Sequence, residues 1–273
     1  DMADAHHRMG RFSFLIRLIA SDLDGTLLEP NGSMPEGIVE VIHALDALGI
    51  RFAAASGRQF GNLRRLFPTV AHEMAFVCEN GAVNALNGEV IGTVAIPKEM
   101  AFEILEDLEK TGMNVLVSGR HTCYLLGANR AYADDIVYRL KNTVTIVDDL
   151  RTIPEPMLKI SGQCDAGVAG FAPALLEKWG NRLTATVSGR DWFDFSVANK
   201  GTGMRMLMER LGLDASEVAA FGDQFNDESM LDLVGYPFLM EKADPALQKP
   251  GVRLVKKVIP TLWKIVEAKG NLV

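Results

Sequence analysis

Acidic residues recur in this chain where short apolar runs end. Asp22-Leu23-Asp24-Gly25-Thr26 closes the run that starts at Ile16, and Gly222-Asp223-Gln224-Phe225-Asn226-Asp227 follows Val218 to Phe221. Between them, Ser56-Gly57-Arg58 ends the run Ile50 to Ala55, and Lys200 stands in Asn199-Lys200-Gly201-Thr202. Brought together, Asp22, Asp24, Asp223 and Asp227 would repel one another and raise each other's pKa unless a cation held them. Oxygen ligands with no His or Cys nearby suit Mg²⁺. A carboxylate is also a covalent nucleophile, forming an aspartyl-phosphate. In such chemistry Asp22 attacks phosphorus in line, Lys200 supplies positive charge, and Ser56 with neighbouring backbone N–H groups binds phosphoryl oxygens. Asp24, two residues along and on the same side of the extended chain, is the natural general acid and then general base.

These side chains meet only if strands carry them to one edge of a sheet. Ile16 to Leu23, Ile50 to Ala55 and Ala75 to Cys78 read as buried strands, with helices after Pro35 and over Arg58 to Phe67. Strand–helix alternation of this kind predicts a parallel α/β sheet, whose ligands bind beyond the carboxyl ends of the strands. A hairpin over Val83 to Ile96, turning at Asn87-Gly88, breaks the pattern. From Pro97 to Gly189 the reading is α+β, with helices over Met100 to Leu108 and Val168 to Trp179 and a weaker one over Ala131 to Leu140. Strands are expected there at Asn114 to Val117 and Leu158 to Ser161. Alternation returns with a helix over Gly203 to Leu211, a strand over Val218 to Phe221, a helix over Glu228 to Leu233, and strands at Tyr236 to Met240 and Val252 to Val255. The expected fold class is α/β: a doubly wound parallel core sheet, residues 14–84 and 190–273, interrupted by an inserted α+β domain, residues 85–189. Val-Ser-Gly-Arg occurs twice in the insert, at Val117 and Val187; four residues are weak evidence of a repeat.

Each chemical residue has an ordinary reading as well. Asp24-Gly25 suits a turn, Ser56-Gly57 suits a helix cap, and Asp223 and Asp227 suit a cap and a surface charge. Arg58 fits a substrate contact or a partner for a surface acid. A Lys at a helix start is disfavoured by the dipole, which makes Lys200 more telling than most. Together, in this order and on expected strand ends, the four blocks resemble the ordered motifs of the haloacid dehalogenase superfamily. The insert between the second and third motifs, and the stretch Ala54 to Ala82 with Glu79-Asn80-Gly81-Ala82, are similar to the Cof-type sugar phosphatases. The resemblance implies a Rossmann-like core with the insert as an α+β cap; it runs from about Ile16 onward and thins in the cap. It implies Asp22 as nucleophile, Asp24 as acid/base whose backbone carbonyl also meets Mg²⁺, and Ser56 and Gly57 as phosphate-binding. It also implies Lys200 as the phosphate-neutralising lysine, Asp223 as metal ligand, Asp227 as its support and Asn226 as a phosphate contact. Two aspartates in the first motif imply a phosphatase rather than a dehalogenase. Cap residues Arg120, His121 and Arg190 are polar candidates for recognising the organic group. The rival readings are a phosphosugar mutase and a non-enzymatic, phosphorylation-dependent switch. Against the switch stand the second acid Asp24 and a cap-sized insert.

Bulk composition narrows the partners. The net charge of −7 over 273 residues argues against nucleic acid, whose binding rests on Lys and Arg. It leaves room for a small-molecule phosphate ester at a locally positive, metal-loaded site. Cys78, Cys123 and Cys164 form no CxxC pair, so neither a disulfide framework nor a zinc site is expected, and a reducing, cytoplasmic setting is. The apolar run Phe14 to Ala20 is interrupted by Arg17 and is too short to span a bilayer. A monomer or weak homodimer with no membrane partner is expected. Asp1 to Phe12, with His6 and His7, are set aside from the fold reading.

Overall fold

A computed structural model describes residues 15–272; Asp1 to Phe12 lie outside that range. The first strand, β1 (Leu18–Asp22), is buried at every residue. It has to be, because its sequence is apolar on both faces and its neighbours, β2 (Arg51–Ala55) and β12 (Val218–Gly222), pair with it in parallel. Helix α1 (Ile38–Ala47) carries the chain from β1 to β2, and α2 (Phe60–Leu66) leads on to β3 (Met74–Cys78). On the other side of β12 stand β13 (Tyr236–Met240) and β14 (Arg253–Val255), also parallel. The strand order β14-β13-β12-β1-β2-β3 reverses direction of growth between β1 and β12. That point is where a doubly wound sheet opens a crevice for a ligand.

Strand alternation divides the core into two layers. Ile19, Phe52, Phe76 and Phe221 face α1, α2 and the C-terminal helix α8 (Val258–Glu267). Leu18, Ala20, Ala53 and Val218 face α6 (Lys200–Leu211) and α7 (Glu228–Leu231). Helix α8 has no counterpart in the sequence reading, which stops at Val255. Its Pro260 lies in the first turn, where the missing N–H leaves no intrahelical bond unmade. The three methionines of α6 separate by spacing. Met204 and Met208 are buried in the core, while Met206 covers Gly92, where an added Cβ would lie 2.3 Å from its sulfur.

The hairpin β4 (Val83–Leu86) and β5 (Glu89–Thr93) turns at Asn87-Gly88, as expected. It pairs antiparallel onto β3 and so extends the first sheet to eight strands. The second sheet has the order β10-β11-β9-β6-β7-β8, drawn from β6 (Asn114–Ser118), β7 (Cys123–Leu126), β8 (Val144–Val147), β9 (Lys159–Gln163), β10 (Thr184–Ser188) and β11 (Trp192–Ser196). The expected boundaries at 84/85 and 189/190 are therefore displaced. Backbone pairing keeps β5 with the first sheet and β11 with the second. Helices α3 (Lys98–Thr111) and α5 (Ala172–Trp179) cover one face of the second sheet around Trp179, Phe193 and Phe195. The weaker helix spans nearly its expected length, as α4 (Arg130–Asp134) widening directly into a π-helical turn over Asp135–Arg139. Both Val-Ser-Gly-Arg segments end the first strand of a hairpin that follows a helix, α3-β6-β7 and α5-β10-β11. The backbones differ, since Gly189 is left-handed (φ 67°) and Gly119 is not.

After β3 the chain makes three successive left-handed residues, Glu79 (φ 50°), Asn80 (φ 52°) and Gly81 (φ 97°). The bend presses Gly81 against the start of α6, where an added Cβ would lie 2.1 Å from the Asn199 carbonyl oxygen. Two non-glycine residues in this region each carry strain of about 1 kcal/mol or more. Gly81→Ala should therefore destabilise the fold by about 2 kcal/mol or more, read as a lower midpoint in urea unfolding.

Candidate active site

Asp22 is the last residue of β1, and the chain turns at once through Leu23 to Leu27. Gly25 makes that turn tight (φ 89°) and leaves room for Asp223, whose Oδ2 would lie 2.3 Å from an added Cβ. Thr26 then donates to Asp223 Oδ1 at 2.8 Å. Asp223 follows the last residue of β12, so the two aspartates arise from adjacent parallel strands. Carboxylate oxygens of Asp22, Asp223 and Asp227 lie within 4.8 Å of one another, and all three residues are buried.

Lys200 sits among them with no exposed surface. Its Nζ donates to Asp22 Oδ1 and to Asp227 Oδ1, each at 2.6 Å. Asn199 and Thr202 cap each other reciprocally and place Lys200 as the first residue of α6. The second oxygen of Asp227 accepts from the backbone N–H groups of Asp223 (2.9 Å) and Gln224 (3.0 Å). Asp227 is thus fully engaged as a brace. Asp22 Oδ2 accepts no hydrogen bond among the described residues. Burial drives the Asp22 carboxyl up from its ordinary 3.8 to about 7; Lys200 pulls it down, and Asp227 and Asp223 push it up again. One lysine does not balance three buried carboxylates. An oxygen-only donor set with this residual negative charge fits Mg²⁺.

The remaining expected residues surround this cluster. Ser56, buried, follows β2 and lies four residues before α2, so it caps no helix; its Oγ accepts from the Arg58 N–H at 3.2 Å. Arg58, expected inside that helix, precedes it, and its guanidinium holds Asp24 through two bonds, 2.7 and 3.2 Å. Asp24 stands at the mouth rather than in the cluster, with 61% of its side chain exposed. Asn226 is also exposed and borders the same opening.

That opening is a cavity of about 630 Å³ shared by the two sheets. Asp22, Asp24, Ser56 and Asn226 line one side; Leu116, Lys159, Ser161, Trp192 and Asp194 line the other. The two sides are tied directly. Lys159 Nζ reaches the Glu79 carboxylate at 2.5 Å and the Gly57 carbonyl at 3.0 Å. Burial alone would lower the Lys159 pKa, but Glu79 and Asp194 more than offset it and hold the ammonium charged. Gln59 exchanges two hydrogen bonds with the backbone of Thr143, and Asn62 donates to the Leu140 carbonyl.

Three expected cap residues do not line the cavity. Arg120 donates to the Val90 carbonyl at 3.1 Å, Arg190 faces Asp191 and His121 is exposed. Lys159 and Asp194 take their place, and both lie on the strand face opposite the cap's apolar layer. Period-two alternation within β9 and β11 was the available signal, with a charged residue among apolar neighbours in each. No helix among the described residues is long and apolar enough to cross a membrane.

A sequence profile of haloacid dehalogenase-like hydrolases matches residues 19–252. The chain is 30% identical over 241 residues to 5-amino-6-(5-phospho-D-ribitylamino)uracil phosphatase of Escherichia coli K12, covering 85% of this chain and 88% of the relative. It is 26% identical over 238 residues to HMP-PP phosphatase of Cronobacter sakazakii, covering 85% and 87%. A haloacid dehalogenase-like hydrolase of Bacillus subtilis superposes with a TM-score of 0.77 at 21% identity, covering 92% of this chain and 99% of its own. The whole second sheet, the first sheet apart from Leu18 and β14, and the acids at the ends of β1 and β12 fall inside the matched span, and the chain belongs to the haloacid dehalogenase-like hydrolase family.

Proposed function

We infer that this chain is a Mg²⁺-dependent phosphatase of small phosphorylated metabolites, sugar phosphates among them, working through an aspartyl-phosphate at Asp22. The observation that carries this reading is the buried Lys200 joining Asp22 to Asp227 beside Asp223, opening onto a cavity sized for a small ligand. Its relatives are named as phosphatases of a phosphoribityl pyrimidine and of HMP-PP, both small phosphorylated molecules. The three cysteines are unpaired, in keeping with a reducing compartment such as the cytoplasm.

Lys200 holds Asp22 Oδ1, so Oδ2 is the oxygen presented to phosphorus. Attack by Oδ2 forms the acyl-phosphate bond as the ester oxygen leaves and takes a proton from Asp24. Asp24, now a carboxylate, takes a proton from water, whose oxygen attacks phosphorus and restores Asp22. Arg58, paired with Asp24 at the mouth, would turn to the arriving phosphate, which frees Asp24 to carry the proton it gives the ester oxygen. Ser56 and Asn226 contact its oxygens, with Gly57 lending backbone to the same loop. Asp22, Asp223 and the Asp24 carbonyl would hold Mg²⁺, braced by Asp227, and the ion would neutralise phosphoryl charge.

The deciding experiment is phosphate release from a panel of sugar phosphates with Mg²⁺, with EDTA, and with Asp22→Asn. Release should require Mg²⁺ and fall by about 10³-fold or more in the variant. Substantial turnover by Asp22→Asn sinks the nucleophile, and an isomerised sugar phosphate without free phosphate indicates a mutase. Asp24→Asn should lower kcat by about 10²- to 10⁴-fold, the usual contribution of a positioned acid/base. The raised Asp22 pKa has a separate readout. In EDTA the folded Asp22 keeps its proton to about pH 7, whereas the unfolded chain releases it near 3.8. The stability this gives wild type over Asp22→Asn is full below about pH 4 and is lost as the pH rises through 7. Paired urea titrations across that range should show the variant gaining steadily on wild type.

A further inference from the structure

The cavity has a second wall that the phosphoryl chemistry leaves unused. In β11, Phe193 and Phe195 belong to the apolar layer under α3 and α5, so Trp192 and Asp194 point the opposite way, into the cavity. In β9, Ile160 belongs to the same apolar layer, which turns Lys159 and Ser161 to the cavity. Strand register sets Leu116, Ser161 and Asp194 directly opposite one another across β6, β9 and β11. The result is a small floor with an apolar contact, a hydroxyl and a carboxylate in one row, and an indole beside it.

The charges on this floor are unequally satisfied. Lys159 donates to Glu79 and the Gly57 carbonyl, and meets the Asp194 charge only through space, with no hydrogen bond between them. Arg139, on the rim, is taken by a bidentate pair with Asp135. Asp194 is buried, 5% exposed, and among the described residues accepts one hydrogen bond, from Ser161 Oγ at 2.6 Å. A carboxylate has acceptor sites for about four such bonds. A buried acceptor left short of donors costs free energy that a ligand's donors can recover.

We propose that Asp194 is the specificity residue for the leaving group, accepting hydrogen bonds from the hydroxyls of a polyol-like phosphate ester whose carbon skeleton packs on Trp192 and Leu116. This rests on the phosphatase reading and adds to it a chemical selection. A leaving group rich in O–H donors is favoured over one that is planar and donor-free.

The test compares D-ribose 5-phosphate with p-nitrophenyl phosphate, whose leaving group offers no donor, in wild type, Asp194→Asn and Asp194→Ala. The ratio of kcat/KM for the sugar ester to that for the aryl ester should fall by about 10- to 100-fold in both variants, the usual worth of a hydrogen bond to a charged group. Ser161→Ala, which leaves Asp194 in place but less oriented, should move the ratio the same way by less. Equal losses on both esters would mean Asp194 merely holds the cap together. An unchanged ratio, or a wild type that cleaves only the aryl ester, would overturn the assignment. Calorimetric binding of ribose 5-phosphate to Asp22→Asn, with and without Asp194→Asn, needs no turnover. Weaker binding with Asp194→Asn supports the subsite even if wild type proves to be no phosphatase, and unchanged binding refutes it.

Discussion

A fully buried ammonium is the constraint around which this molecule is arranged. Lys200 has no water to solvate it, so its charge survives only because Asp22 and Asp227 lie at hydrogen-bond distance on either side. Asp22 comes from the end of β1, Asp227 from the turn after β12, and Lys200 from the first turn of α6. Three elements must therefore converge to within one ion pair's length for any of them to be stable there. Asp227 in turn engages two backbone N–H groups, which shapes the loop carrying Asp223. The same network that neutralises the lysine thus sets the position of every acid in the cluster.

The cap is held by a second buried pair. Lys159 reaches Glu79 and Gly57 across the cavity, and Glu79 is turned toward it by a left-handed backbone at the end of β3. Removing either partner would strand a charge away from water, which costs far more than an exposed ion pair is worth. The clasp of Gln59 and Asn62 on the 140–143 loop adds neutral contacts on the same side. The placing of the second sheet over the first is therefore specified by buried polar geometry rather than by apolar area alone.

The buried cluster of Asp22, Asp223 and Asp227 was legible in the sequence because each stands at or soon after the end of an apolar run. Asp22 and Asp24 share one strand end, Asp223 and Asp227 share one turn, and apolar runs before each mark the strands. The pairing of Arg58 with Asp24 was not legible, since 34 positions separate them and only the sheet brings them together. The cap was harder for the same reason. Asp194 gains its meaning from facing Ser161 across a strand register, which no local pattern states. Arg120, His121 and Arg190 drew notice as polar residues, yet they lie at hairpin turns that point elsewhere. The domain boundaries slipped because an antiparallel hairpin pairs equally well with either sheet by pattern, and the choice of β3 as partner for β4 is made by packing.

The two crossings between core and cap are unlike each other. The chain leaves through β5, at the outer edge of the eight-stranded sheet and far in strand order from β1. It returns through β11, and only Val197, Ala198 and Asn199 separate that strand from Lys200. An exchange of caps between related chains would meet a tolerant joint at the first crossing and an exacting one at the second. There, the graft must deliver a lysine to the ion cluster in the right register. A second sheet moved between such chains would consequently have to bring with it the first turn of the helix that follows.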